Sequence, residues 1–214
     1  MDALLQGGGP VRLFGLASAL LSIYAFYPYA RDVLRGHTRP QRACWLIWSV
    51  LGSIALMSQI VEGATASLWF AAIQVGWTIV IFGLSIWRGQ GRFLNPGDEY
   101  ILIAATLGLA LWASTDTAAY ALVITISISM LGGAATIAKA YRAPETETMS
   151  TWVISWLAAL CAICAVGHLD WVLLAYPLYL LCLYSGIVLA IMLGRTRGHH
   201  AMLSTGRHTA GGAM

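Results

Sequence analysis

The sequence predicts an all-α integral membrane protein of seven transmembrane helices, arranged as two parallel three-helix repeats joined by a linker helix, N-terminus out and C-terminus in. Three observations predict it. The 214 residues are 59% hydrophobic and only 10% charged; apolar runs long enough to cross a bilayer follow one another; and basic residues keep to alternate connections. A chain with so little charge cannot cover a water-facing surface. Runs of roughly 17 to 25 apolar residues are what a helix needs to cross a hydrocarbon core about 30 Å thick. Backbone polar groups cannot stay unpaired in hydrocarbon, and the period-two alternation of a membrane barrel is missing, so the spans are helices.

The first span, 12–32, follows an N-terminal segment, 1–11, with Asp2 and a glycine run where a cleavable leader would be basic, and it is expected to be retained. It contains Pro28 and runs into a connection carrying Arg31, Arg35, Arg39 and Arg42. The second, 40–61, opens on Trp45, and the third, 67–87, carries Gln74 and Trp77. The fourth, 96–114, has Asn95 as a cap, Pro96 at its first position, and Asp98 and Glu99 against the positive end of its dipole. The fifth, 117–139, contains Gly132-Gly133 and ends on Lys139; the sixth and seventh occupy 149–167 and 171–194. Four cysteines, at 44, 161, 164 and 182, fall within spans and read as small packing residues, Cys161-x-x-Cys164 included.

Lysine and arginine collect between the first and second spans, at Arg88 and Arg92, at Lys139 and Arg142, and at Arg195, Arg197 and Arg207, whereas only Arg12 lies on the other side. Cationic connections stay in the cytoplasm, so the N-terminus is expected outside and the C-terminus inside a plasma membrane of bacterial inner-membrane type. The net charge of +3 reflects this orientation and implies no nucleic-acid partner. The partners expected are the bilayer and a small-molecule substrate.

A degraded repeat runs through this frame. "SIYAFYPYARDVLRG" at 22–36 lies over "SISMLGGAATIAKAY" at 127–141, with Pro28 falling on Gly133, and both lead through a loop with a proline, Pro40 or Pro144. The next helices open alike, "WLIWS" at Trp45 and "WVISW" at Trp152, and "LWFAAIQVGW" at 68–77 pairs with "VLLAYPLYLL" at 172–181. A three-helix unit that starts outside ends inside, so a second copy in the same orientation needs one extra crossing, which the fourth span supplies. The domains are therefore 12–87, a first repeat; 88–114, inner loop and linker helix; 115–194, a second repeat; and 195–214, a cytoplasmic tail in which His199-His200 reads as ordinary polar chain.

With Tyr27-Pro28 at the inner third of the first helix, a basic loop after it, and three plus one plus three spans, the chain resembles the SWEET sugar transporters and the wider PQ-loop superfamily over about residues 12–194. Tyr29 stands where that family carries glutamine, and Gly132-Gly133 where the second copy carries proline. The resemblance implies a carrier working by alternating access, with homo-oligomers as a further implication. It also implies asparagines from the third and seventh helices for sugar binding; the single asparagine here is Asn95, in a loop.

Polar and aromatic residues inside spans are the candidate ligand contacts, because each is costly in hydrocarbon unless paired or facing water. They are Gln74, Trp48, Trp77, Trp156, Tyr24, Ser129, Ser155, Tyr176 and Tyr179, with Pro28, Gly132 and Gly133 as candidate hinges. Trp45 and Trp152, at helix starts, read more as interfacial anchors, like Trp87 and Trp112 at span ends. Aromatic walls and one or two amides suit a small polar or aromatic metabolite better than a sugar. No carboxylate lies mid-span, so facilitated diffusion is the simpler expectation, with Asp32 expected in an interfacial ion pair with Arg31 or Lys139. Two alternatives stay open: a nicotinamide-riboside-type vitamin transporter of similar architecture, and a non-transporting PQ-loop-like receptor or assembly factor. An enzyme is the weakest class, since no nucleophile with a neighbouring base and no metal-spaced His/Cys cluster is evident, and no cofactor or metal is expected.

Overall fold

A computed structural model describes residues 9–92, 103, 110 and 118–210 of the chain, with side chains at 9–92, 103, 110, 122–130 and 132–197. These residues form six long α-helices: α1 (Gly9–Arg35), α2 (Arg42–Val61), α3 (Leu68–Arg88), α4 (Ala118–Arg142), α5 (Met149–Val166) and α6 (Trp171–Ala210), with a 3₁₀ turn at Pro144–Thr146. All six are long and apolar enough to cross a membrane, α4 over residues 122–142 and α6 over 171–197. The chain is thus a membrane-embedded helical protein. The predicted fourth span, 96–114, with its Asn95 cap, falls outside the described residues apart from 103 and 110, and Trp112 lies outside them too.

Local chemistry sets the helix ends. Pro10 sits in the first turn of α1, where its missing N–H is no loss. At the other end Gly36 takes φ 79° and lets the chain fold back, so that His37 and Thr38 donate their N–H groups to the carbonyl of Asp32. Asp170 caps α6 by accepting from the N–H groups of Val172 and Leu173 at 2.9 and 3.0 Å. Arg42 performs the opposite task for α3: its guanidinium donates to the carbonyls of Ser85 at 2.9 Å and Gly91 at 2.7 Å, at the negative end of that helix. The helix of the last span does not stop at 194 but runs through most of the predicted tail to Ala210. No proline follows Arg195 to break it, and Ala201, Met202 and Leu203 are good helix formers.

The helices close into a ring in which α1 touches α3 and α5, α2 touches α3 and α4, and α6 touches α4 and α5. Exchanging α1 with α4, α2 with α5 and α3 with α6 maps this set of contacts onto itself, including the minor contacts α2–α6 and α3–α5. The α1–α5 contact is the most extensive and is built from small residues: Gly15, Ser18, Ser22 and Ala25 are buried on α1, Ala158, Ala159 and Ala162 on α5. There Ser18 Oγ donates to the Ala158 carbonyl at 3.0 Å, so close backbone approach and a hydrogen bond do the packing that water expulsion does in a soluble core. Leu20, Ile23, Ile79, Val123, Leu189 and Leu193 project outward, the positions a hydrocarbon solvent covers.

The direction of each helix follows from contacts at one end. Thr38, just after α1, and Thr148, just before α5, share a hydrogen bond of 2.6 Å. Lys139, near the end of α4, donates to the Arg39 carbonyl at 2.8 Å. Gln90, just past α3, exchanges backbone bonds with Pro40 and Arg42, and Arg197 of α6 stacks over Tyr141. The C-terminal ends of α1, α3 and α4 therefore meet at one basic end of the bundle, where Arg31, Arg35, Arg39, Arg42, Arg88, Lys139 and Arg142 all lie. α3 stops at this end and α4 starts at the opposite one.

Candidate functional site

All six described helices contribute side chains to one cavity at the centre of the ring. Phe26 comes from α1, Trp45, Trp48 and Gly52 from α2, Gln74 and Thr78 from α3, Ser129 from α4, Trp152 from α5, and Tyr176, Tyr179, Leu180, Leu183 and Tyr184 from α6. The spacing explains the convergence. Positions 45, 48 and 52 lie on one face of α2, as do 74 and 78 on α3 and 176, 179, 180, 183 and 184 on α6. Gly52 keeps α3 and α6 close: a Cβ there would meet Val75 Cγ2 at 3.2 Å and the Tyr176 hydroxyl at 3.8 Å. The space left is about 40 Å³, room for a few waters. A metabolite requires the walls to move.

The rings form a connected wall. Tyr29, fully buried, links the equivalent tryptophans that open α2 and α5: its ring centroid is 5.3 Å from Trp45 and 6.0 Å from Trp152. Trp45 meets Trp48 edge-on at 5.4 Å, and Trp152 meets Tyr184 at 5.9 Å. Phe26 stacks on Trp77 at 5.7 Å with the planes 12° apart. Such contacts add to the area buried and hold the rings in fixed orientations.

Few polar atoms face this wall. Gln74 is 1% exposed; its Nε2 donates to the Tyr184 hydroxyl at 2.8 Å, and its Oε1 has no protein partner. The hydroxyl of Tyr179 lies beside Ser129 and Trp48, and Trp48 Nε1 makes a long 3.5 Å contact with the Ser129 carbonyl. No carboxylate, lysine, arginine or histidine lines the cavity among the described residues, and no group of three His, Cys, Asp or Glu there is placed to hold a metal.

A polar layer lies at the basic end of the bundle, joined to the cavity wall through Trp152. Glu147, at the end of the 3₁₀ turn, accepts from Lys139 Nζ at 2.7 Å and from Trp152 Nε1 at 3.0 Å. Thr148 Oγ1 donates to Asp32 at 3.1 Å, and Asp32 pairs with Arg31 at 3.3 Å. Lys139 thus pairs with Glu147, and Asp32 takes only Arg31 of its two expected partners. Glu147 was not marked by the sequence, where it is one of two glutamates in an unremarkable loop; only the fold-back of the turn buries it.

Of the candidate contacts, the fold brings Gln74, Trp48, Ser129, Tyr176 and Tyr179 together around the cavity. Trp77 stands behind Phe26. Trp156 faces the outside of the bundle, in an apolar groove with Val153, Val188 and Leu189, where its Nε1 donates to Ser185 at 2.8 Å. Ser155 is fully buried on α5 but is not a cavity wall. Tyr24 is 63% exposed on the outer face of α1, because it lies roughly 200° around the helix from the buried Ser22. Trp45 and Trp152, expected as anchors, are 3% and 2% exposed and wall the cavity. Their mirrored places in "WLIWS" and "WVISW" were the signal. Of the candidate hinges, Pro28 lies within an unbroken α1. Gly132 and Gly133 admit neighbours: a Cβ at 132 would stand 3.3 Å from Trp48 Nε1, and one at 133 would stand 2.7 Å from Leu183 Cδ1.

No protein-family model, curated protein or solved structure matches the chain.

Proposed function

We propose that the protein is a membrane carrier that moves a small polar or aromatic metabolite through its central cavity by alternating access, without an ion gradient. The observation that carries this reading is a central cavity lined by both of two sets of three helices whose contacts are interchangeable. Two similar units flanking a mid-membrane cavity can rock about it and expose it to either side in turn. In this reading α1–α3 and α4–α6 are parallel repeats, and the predicted fourth span, 96–114, is the extra crossing between them. The basic end faces the cytoplasm of a bacterial-type plasma membrane. The likeness to the SWEET and PQ-loop carriers belongs to the same proposal.

The lining supports a narrow choice of cargo. Seven rings, Phe26, Trp45, Trp48, Trp152, Tyr176, Tyr179 and Tyr184, surround one half-satisfied carboxamide, a poor match for a sugar and a good one for a flat ring bearing a hydrogen-bond donor. That same lining favours the nicotinamide-riboside-type solute as the second reading. Uptake of labelled sugars, amino acids and nicotinamide riboside into proteoliposomes tests both. Saturable flux of a ring-bearing solute is expected; saturable binding with no flux across sealed vesicles would make the protein a receptor.

A further inference from the structure

We infer that Glu147 is a latch: it holds the basic-end mouth of the cavity shut and fixes the wall tryptophan Trp152 in the same act. The inference rests on the carrier reading and adds a residue to it. The side chains of Lys139 and Glu147 are 12% and 2% exposed. Removing a charge from water is tolerable for such a pair only while each partner neutralises the other. Lys139 also donates to the carbonyl of Arg39, which belongs to the other set of helices. The ion pair therefore ties α4 to the α1–α2 connection as well as to its own turn. Beside it the Thr38–Thr148 bond crosses between the sets in the same layer.

Glu147 uses its second oxygen on Trp152 Nε1. The Trp152 ring lines the cavity and touches Tyr184, the residue that holds Gln74. A ligand that displaces either ring pulls on the bond that keeps Glu147 in place, and a released Glu147 leaves Lys139 buried without its counter-charge. The closed mouth then becomes the costlier state, because opening returns both charges to water. In this arrangement a filled cavity favours an open basic end, which is the coupling that a carrier needs.

The test needs no substrate. In a protein with Cys44, Cys161, Cys164 and Cys182 replaced by alanine, Ser129→Cys places one thiol in the cavity wall. A membrane-impermeant maleimide is then applied to each face of oriented vesicles. Lys139→Met and Glu147→Gln should each raise the labelling rate from the basic side about tenfold or more, the effect of losing one charge-assisted hydrogen bond. Glu147→Gln keeps an acceptor for Trp152 and nearly the same volume, so it separates the latch from loss of fold. Unchanged labelling in both single variants, or a rise equal from both faces, would overturn the latch. If labelling rises from the basic face alone while no solute crosses the membrane, the latch stands and the carrier reading fails.

Discussion

Gln74 on α3 donates to the hydroxyl of Tyr184 on α6 at 2.8 Å, a bond across the cavity between helices that hold equivalent places in the two sets. It leaves Gln74 Oε1 as an unpaired acceptor in a wall of rings. Tyr184→Phe would strand the buried amide and is expected to destabilise the protein by about 1–3 kcal/mol. Adding Gln74→Leu removes the stranded group, so the double variant should regain at least half of the lost stability while solute uptake stays abolished. Thermal unfolding in detergent and proteoliposome uptake check the two halves of this expectation.

Two tryptophans on different faces should behave differently. Trp48→Phe changes the cavity wall and is expected to lower uptake at least about tenfold, within the range of a lost specific contact. Trp156→Phe alters only the outer groove against Ser185 and should leave uptake within about twofold. Equal losses in both would mean that the central cavity is not the path.

Gly133 has a packing role that is visible at its Cβ position. Gly133→Ala puts a methyl 2.7 Å from Leu183 Cδ1 and should push that side chain into the cavity. Overpacking of this kind costs about 1–3 kcal/mol, and here uptake should fall with it. Pro28→Ala meets no such clash; it restores a helix N–H inside α1 and should slow turnover more than it weakens ligand binding. Turnover from exchange kinetics and affinity from equilibrium binding separate the two substitutions.

Arg42 holds the end of α3 through the carbonyls of Ser85 and Gly91. Lysine has one ammonium in place of a fork, so Arg42→Lys is not a conservative change. It is expected to lower stability by about 1–3 kcal/mol, read as a lower Tm in detergent, with ligand affinity retained because Arg42 does not line the cavity.

The helices were legible because they rest on run length and charge, which the sequence states outright. Each predicted span that falls on described residues has its helix, from Pro10 in the first turn of α1 to Asp170 capping α6. Faces were harder to read. Tyr24 is aromatic and mid-span, but the buried stripe of α1 passes through Ser18, Ser22, Ala25, Phe26, Tyr29 and Val33 and leaves Tyr24 on the far side. The depth of Trp45 and Trp152 along their helices suggests anchors, and depth along a helix says nothing about direction. Glu147 was invisible for a different reason. Its burial comes from a turn folding back on Lys139 and Trp152, a tertiary event with no local mark.

In the proposed carrier, two parallel sets of helices share a cavity whose basic end opens and closes. A disulfide between Thr38→Cys and Thr148→Cys tests it most directly, because the two hydroxyls lie 2.6 Å apart across the mouth and cysteines there sit within bonding reach. Mild oxidation is expected to link the pair and stop exchange of the transported solute, and reduction to restore it. Failure to link would contradict the parallel arrangement, and linkage with unchanged exchange would contradict the moving mouth.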